Sequence, residues 1–206
     1  MPFDSPTFTR GRFIAFEGLD GSGKSTQAQL LFQELGSIRG QKPLLLKEPT
    51  AGPYGRLIRE MTKARRDPSK ELKLFVLDRS QDVNENIRPA LSNGQTVIID
   101  RYILSNVAYQ GALEDVTPEE IFKINEGFPW PNLTFLLEIS VEEGLARVKQ
   151  RGELQTTFEN SLYLEKVKAI YDRLDYPGLI RLDGTRPPKQ VLESVLEALK
   201  ALPPNI

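Results

Sequence analysis

One stretch constrains this chain more than any other. Across residues 13–27 the apolar run Phe-Ile-Ala-Phe-Glu passes directly into Gly-Leu-Asp-Gly-Ser-Gly-Lys-Ser-Thr-Gln. A short run rich in Ile and Phe suits a strand buried on both faces of a parallel sheet. Gly18 to Ser25 then match Gly-x-x-x-x-Gly-Lys-Ser in full, and helical sequence follows. Glycines let consecutive backbone N–H groups wrap phosphate oxygens, and the following helix N-terminus adds positive potential. Gly18, Leu19, Asp20, Gly21, Ser22, Gly23, Lys24, Ser25 and Thr26 form the candidate triphosphate site. Lys24 is expected to reach the β- and γ-phosphates, and the Ser25 hydroxyl to ligate Mg²⁺. A chance glycine turn is the competing explanation, but the strand before and the helix after argue against it.

The rest of the sequence narrows the chemistry. The 206 residues contain neither cysteine nor histidine. Thiolate metal sites, disulfides and imidazole catalysis are therefore excluded, and any metal must sit on oxygen ligands, which points to magnesium. A net charge of −1 argues against a strongly basic surface, and so against a nucleic-acid partner. No apolar run approaches a membrane span, and the N-terminus lacks a signal pattern, so a cytoplasmic protein without a membrane partner is expected. The first ten residues read as a loose tail.

Apolar runs alternate with helical patterns along the chain. Strands are predicted at 12–17, 43–47, 96–100, 134–139 and 179–182. Helical periodicity covers 24–38 and 70–92, the latter through Leu72, Phe75, Val76, Val83, Ile87 and Leu91. Thr117-Pro118-Glu119-Glu120 is a helix start with a capping threonine, proline at the first position and glutamate three residues after the cap. Val191, Leu192, Val195, Leu196 and Leu199 make the last helix amphipathic. This alternation implies an α/β fold with a doubly wound parallel sheet, and ligands in such sheets bind beyond the carboxyl ends of the strands. A single domain spanning 1–206 is expected.

The glycine loop alone does not separate kinases from switches. The Asn-Lys-x-Asp sequence that guanine switches use for their base is missing, which lowers a GTPase assignment and leaves ATP-driven switches open. A second stretch, residues 97–111, is more selective. Asp100 ends a strand where its carboxylate can meet a metal or the metal's water shell. Arg101 follows, placed to grip a phosphate bidentately. Tyr102, Ser105, Asn106 and Tyr109 then fall at i, i+3, i+4 and i+7 and share a helix face. A half-buried helix making local hydrogen bonds accounts for that face equally well.

Three motifs together resemble the thymidylate kinase family of P-loop nucleoside monophosphate kinases: Glu-Gly-x-Asp-Gly-x-Gly-Lys-Ser-Thr at 17–26, Asp-Arg-Tyr-x-x-Ser-x-x-Ala-Tyr-Gln-Gly at 100–111, and Arg-Gly-Glu-Leu at 151–154. The resemblance runs from Phe13 to the last helix. It implies a five-stranded sheet of order 2-3-1-4-5, phosphoryl transfer from Mg·ATP to dTMP on the way to dTTP, and a homodimer. It also implies residue roles. Arg101 would hold the dTMP phosphate, and Asp20 would lie near that phosphate and the sugar 3′-hydroxyl. Phe75 would stack on thymine while Arg79, on the same helix face, would bond a base carbonyl; simple core packing is the other account of Phe75. Ser105 and Asn106 would meet the base edge, and Tyr109 would crowd the sugar C2′ position. Glu48-Pro49 would be a cis peptide near the acceptor, although Lys47 and Thr50-Ala51-Gly52 depart from the family's commoner Arg and Gly-Gly-Thr.

Some family members carry an arginine in the phosphate loop where this chain has Gly21; others supply it from a mobile lid. Arg147 and Arg151 stand one helical turn apart, and a solvated basic face with Glu143 pairing Arg147 explains that spacing too. With Gly21 and the 151–154 match in hand, Arg151 is assigned to the transferring phosphate. Arg147 is assigned to adenine and the ATP phosphates, within a lid at about 147–160. Gly152 is either a hinge of that lid or a helix end. The expected catalytic set is Lys24, Arg151, Asp20 and Arg101. A kinase of broader deoxynucleotide range, a nucleoside kinase and a non-catalytic ATP-dependent switch are the rivals.

Overall fold

The computed structural model describes residues 11–38, 40, 42–63, 67–113, 115–152 and 158–202. Five parallel strands, β1 (Phe13–Gly18), β2 (Leu44–Lys47), β3 (Val97–Asp100), β4 (Leu133–Glu138) and β5 (Leu179–Asp183), form one sheet of order β2-β3-β1-β4-β5. This is the expected order. Every predicted strand is present, with ends moved by a residue or so.

The central strands β1 and β3 are buried along their whole length, whereas the edge strands β2 and β5 are half-exposed. Alternation along β1 decides which layer each residue serves. Phe13 and Ala15 point into a cluster with Val97, Ile99 and Ile103; Ile14 and Phe16 point to the other side, against Leu31, Val191 and Val195. A third cluster beneath β4 packs Leu136 against Leu104, Val141 and Val167.

The helices are α1 (Lys24–Ser37), α2 (Pro53–Lys63), α3 (Pro68–Asp82), α4 (Arg88–Ser92), α5 (Ile103–Gly111), α6 (Pro118–Ile124), α7 (Val141–Gln150), α8 (Phe158–Arg173) and α9 (Pro188–Ala201). The capping box at Thr117 is present, with the Thr117 side chain accepting from the Glu120 amide and the Glu120 carboxylate accepting from the Thr117 amide. The single helix predicted over 70–92 is corrected. It starts at Pro68 on an Asp67 cap and is interrupted by a π-helical turn at Val83–Ile87 before α4. The reason lies in what each end must face. Asp78, Arg79 and Asp82 are buried on the polar side of α3, while Val83, Ile87 and Leu91 are buried in the apolar cluster. A straight α-helix cannot keep both stripes inward, and one widened turn resets the phase. The helices α2 and α8 have no counterpart in the sequence expectations.

Candidate active site

The carboxyl ends of the five strands gather the chemistry. β1 runs into the phosphate loop, and α1 begins at Lys24 behind Gly23, which supplies no capping side chain. The first amides of α1 therefore lack both an intrahelical acceptor and a side-chain cap, a ready anion site. Lys24 is buried and its ammonium donates back to the loop, to Leu19 O at 2.6 Å and Ser22 Oγ at 3.4 Å. Burial, then the nearby Arg101 charge, pulls its pKa down to about 7.

Gly21 explains why this loop carries no arginine. Its φ is +83°, and a Cβ there would meet Gly144 O of α7 at 2.5 Å. A Cβ at Gly144 would in turn meet Asp20 O at 2.6 Å. The two glycines let α7 press directly on the phosphate loop.

The Asp100 carboxylate accepts a hydrogen bond from the Ser25 hydroxyl, while its Oδ1 is buried without a hydrogen-bond partner. Burial would raise this carboxyl; the Ser25 hydroxyl, Lys24 and Lys47 outweigh it and hold it below the usual range. Two hard oxygens side by side, one with spare valence, are donors that suit Mg²⁺, which keeps several waters and takes the rest from substrate phosphates. Among the described residues there is no cluster of three or more acidic, histidine or cysteine side chains suited to a metal. Lys47, next to Asp100 on the neighbouring strand, places its Nζ 2.9 Å from Asp100 Oδ2 and 3.2 Å from Ser25 Oγ. Sequence reasoning gave Lys47 no role.

Arg101 sits at φ +72°, a left-handed backbone that a non-glycine residue adopts at a cost and that clusters at functional sites. Its guanidinium closes on Asp20, bonds Ser105 Oγ at 3.3 Å and lies 5.0 Å over the Tyr109 ring. Tyr109 also accepts from the Asp20 amide at 3.2 Å. Protein bulk around the Asp20 carboxyl would raise it; Arg101 and Lys24 reverse that and hold it low. The buried Glu17 carboxylate caps the start of α5 from β1, accepting from the amides of Tyr102 at 2.9 Å and Ser105 at 3.1 Å, and from the Ser105 hydroxyl. Ser105, expected at a base edge, is thus turned to Glu17 and Arg101.

The shared face expected from residues 102–109 divides between two arginines. Ser105 and Tyr109 serve Arg101; Tyr102 and Asn106 serve Arg79, whose guanidinium lies 5.0 Å over the Tyr102 ring and donates to Asn106 Oδ1 at 3.3 Å. Arg79 is only 1% exposed. It donates to Glu48 from Nε and from Nη2, the latter at 2.5 Å, and to Asn125 Oδ1 at 2.5 Å. Of its five N–H groups a single Nη2 hydrogen is left for a base carbonyl. Burial pushes the Glu48 carboxyl up to about 7 against the pull of Arg79. The Glu48–Pro49 peptide is cis, as the resemblance implied. The loop behind it is tied to α3 by Asp78, which accepts from the Thr50 amide at 2.7 Å and the Thr50 hydroxyl at 2.6 Å. Phe75 is half-buried and belongs to none of the three core clusters, so core packing does not account for it.

On the other side of the phosphate loop a cleft of about 640 Å³ is lined by Gly21, Thr26, Arg147, Arg151, Thr185 and Arg186, among others. Arg147 spans it: Nε donates to Glu143 at 2.7 Å, Nη1 to Gly184 O at 2.9 Å and to Gly21 O at 3.3 Å. The Glu143 ion pair is present, and the bond to Gly21 O sets Arg147 beside the loop. Arg151 is exposed at the end of α7, and Gly152, at φ +73°, terminates that helix with its amide bonded to Lys149 O at 3.0 Å. Residues 153–157 of the expected lid lie outside the described residues. The segment 184–186 was missed; its signal was position, directly beyond the last strand's carboxyl end.

A phosphate loop with an acidic strand end beside it, and an arginine facing it across Asp20, define a P-loop phosphotransferase-type nucleotide site. The comparisons specify it further. The family model for thymidylate kinase matches residues 16–195. A thymidylate kinase of Desulfotalea psychrophila is 42% identical over 196 residues, covering 93% of this chain and 96% of that protein. A thymidylate kinase of Brachyspira hyodysenteriae is 35% identical, with 93% and 94% covered, and a probable thymidylate kinase of Archaeoglobus fulgidus 39% identical, with 91% and 94% covered. The chain belongs to the thymidylate kinase family.

Proposed function

We infer that this chain transfers the γ-phosphoryl group of ATP to the 5′-phosphate of dTMP, giving dTDP and ADP. An oxygen of the acceptor phosphate attacks the γ-phosphorus as the β–γ bridging bond breaks. The acceptor is already anionic, so no strong base is required, and catalysis rests on positioning and charge. The observation that carries this is the junction at Asp20. The loop that would hold ATP and the arginine that would hold an acceptor phosphate meet on one carboxylate.

In this scheme the loop amides and Lys24 bind the β- and γ-phosphates. Arg101, released from Asp20, clamps the acceptor phosphate, and Asp20 turns to the sugar. Phe75, Asn106 and Tyr109 shape the nucleoside pocket, with Glu48–Pro49 fixing its floor through Arg79. Arg151 meets the transferring group from the end of α7, and Arg147 and the 184–186 segment flank the adenine side. Held by Ser25 and Asp100, Mg²⁺ would neutralise charge on the β- and γ-phosphate oxygens. One kinase domain with a lid over 147–160, a homodimeric state and a cytoplasmic location complete the proposal. No helix among the described residues is long and apolar enough to cross a membrane.

A coupled ADP-release assay with Mg·ATP and dTMP, dUMP, dCMP, dGMP, UMP or thymidine offered separately tests this. Strong turnover with dTMP, weaker with dUMP and little with the rest is expected. Arg79 favours one second scheme, since a guanidinium already bound to Glu48, Asn106 and Asn125 has little left for reading a base. Comparable turnover on several deoxynucleotides would establish that broader range. Slow, acceptor-independent ADP release would leave only a nucleotide-binding module.

A further inference from the structure

We propose that Lys47 is a built-in counter-cation for the metal site, occupying the oxygens of Ser25 and Asp100 in the metal-free protein and yielding them when Mg²⁺ arrives. This rests on the assignment of Ser25 and Asp100 to the metal.

Register puts Lys47 there. β2 and β3 are parallel, with Lys47 paired to Asp100 as the last residue of each strand, so the two side chains leave the sheet on the same face beside α1. The lysine ammonium then reaches Asp100 Oδ2 at 2.9 Å and Ser25 Oγ at 3.2 Å. These are the same two groups that would ligate the metal. An ammonium and a divalent ion cannot both sit in direct contact with them without strong repulsion. The side chain is built for exchange. Asp100 is 4% exposed at its side chain, but the Lys47 side chain is 60% exposed and can swing out into water. Without a cation at this point Asp100 would stand buried with Oδ1 already unpartnered and Oδ2 bonded only to the Ser25 hydroxyl.

Two opposite effects on nucleotide binding follow. Without metal, Lys47 keeps Asp100 from repelling the phosphates, so its loss weakens metal-free ADP binding. With metal, Lys47 has to be displaced, so its loss removes a competitor. Both raise the factor by which Mg²⁺ strengthens ADP binding.

Calorimetric titration of ADP into the full chain, once with Mg²⁺ and once with EDTA, measures that factor. In Lys47→Met it is expected to rise about fivefold over the wild type, the scale of one partly exposed ion pair. Lys47→Arg, which keeps the cation, should stay within about twofold of wild type on the same scale. Thermal melting of the metal-free protein gives an independent reading, with Lys47→Met melting lower than wild type in EDTA and losing that deficit in Mg·ADP. An unchanged or smaller Mg²⁺ factor in Lys47→Met overturns the proposal, because Lys47 would then act on the phosphates alike with and without metal. If the wild type and Asp100→Asn both bind ADP equally with Mg²⁺ and with EDTA, the metal assignment itself falls and this proposal with it. A large wild-type factor, lost in Asp100→Asn but unmoved by Lys47→Met, spares the metal site and removes only the role given to Lys47.

Discussion

The two halves of the proposed site, one assigned to the acceptor and one to the ATP donor, are built differently. On the acceptor side, Arg79 is buried and bonded to Glu48, Asn106 and Asn125; Asn106 bonds Gln110, and Gln110 bonds Glu71. Every member of that chain is nearly inaccessible to water. On the donor side, Arg147 reaches across an open cleft to backbone carbonyls, and Arg151 stands exposed at a helix end. A pocket that reads a neutral base needs fixed donors and acceptors, because a misplaced partner there costs the whole desolvation of the unmatched group. A site that handles a triphosphate needs charge that can come and go, since its ligand brings most of the electrostatics. Stability should therefore depend on the acceptor side and turnover on the donor side.

The sharpest way to break this contrast is to remove one arginine from each half. Arg151→Met should lower kcat by about 10³, while its urea midpoint stays at the wild-type value. A normal kcat would remove Arg151 from the transferring phosphate. Arg79→Met should do the reverse first: it strands Glu48 in the interior and should cost about 3 kcal/mol of folding free energy, measured by urea denaturation. Equal destabilisation by both variants would erase the distinction between the halves.

The glycine pair that seats α7 on the phosphate loop gives a smaller effect. Gly144→Ala puts a methyl 2.6 Å from Asp20 O and 3.2 Å from Ile139 Cδ1. Backbone has to move, at about 1–3 kcal/mol, and the part of α7 that carries Arg147 and Arg151 tilts away from the phosphate loop. KM for ATP should rise more than KM for dTMP. An equal change in both would mean that α7 serves both substrates alike.

What the sequence revealed divides differently, by distance along the chain. The phosphate loop, the five strands and the Thr117 cap are local patterns, readable because spacing alone dictates them. Arg101 was visible for the same reason, as the residue after a strand end. Lys47, Asn125 and the 184–186 segment were not. Each gains its meaning from a neighbour distant in the chain: Lys47 from its register with Asp100, Asn125 from Arg79, and Gly184 from Arg147. The π-helical turn was hidden because the apolar residues of 70–92 fit a plain helix; the need to bury Asp78, Arg79 and Asp82 as well appears only once the loop after β2 is in place. Ser105 shows the converse error. The resemblance placed it at a base edge, whereas the buried Glu17 carboxylate holds its hydroxyl.

The smallest effect concerns a proton. Burial, then Arg101, holds the Lys24 pKa at about 7, against 10.5 for a free lysine. Between those values the unfolded chain binds more protons at this side chain than the folded one. Its contribution to stability therefore rises as pH increases through that window, and is at its least favourable below it. Nucleotide phosphates reverse the preference, because an ammonium against a polyanion is strongly favoured. Binding of ADP should then take up about half a proton at pH 7 and close to one at pH 8.5, and almost none at pH 5.5. Calorimetry at each pH in buffers of different ionisation enthalpy measures the uptake. In Lys24→Met the pH-dependent part should vanish. Uptake that persists in that variant would assign the proton elsewhere, with the nucleotide's own phosphate as the first alternative. Uptake absent from the wild type at pH 8.5 would mean that Lys24 already carries its charge before nucleotide arrives, and that the donor side is as preset as the acceptor side.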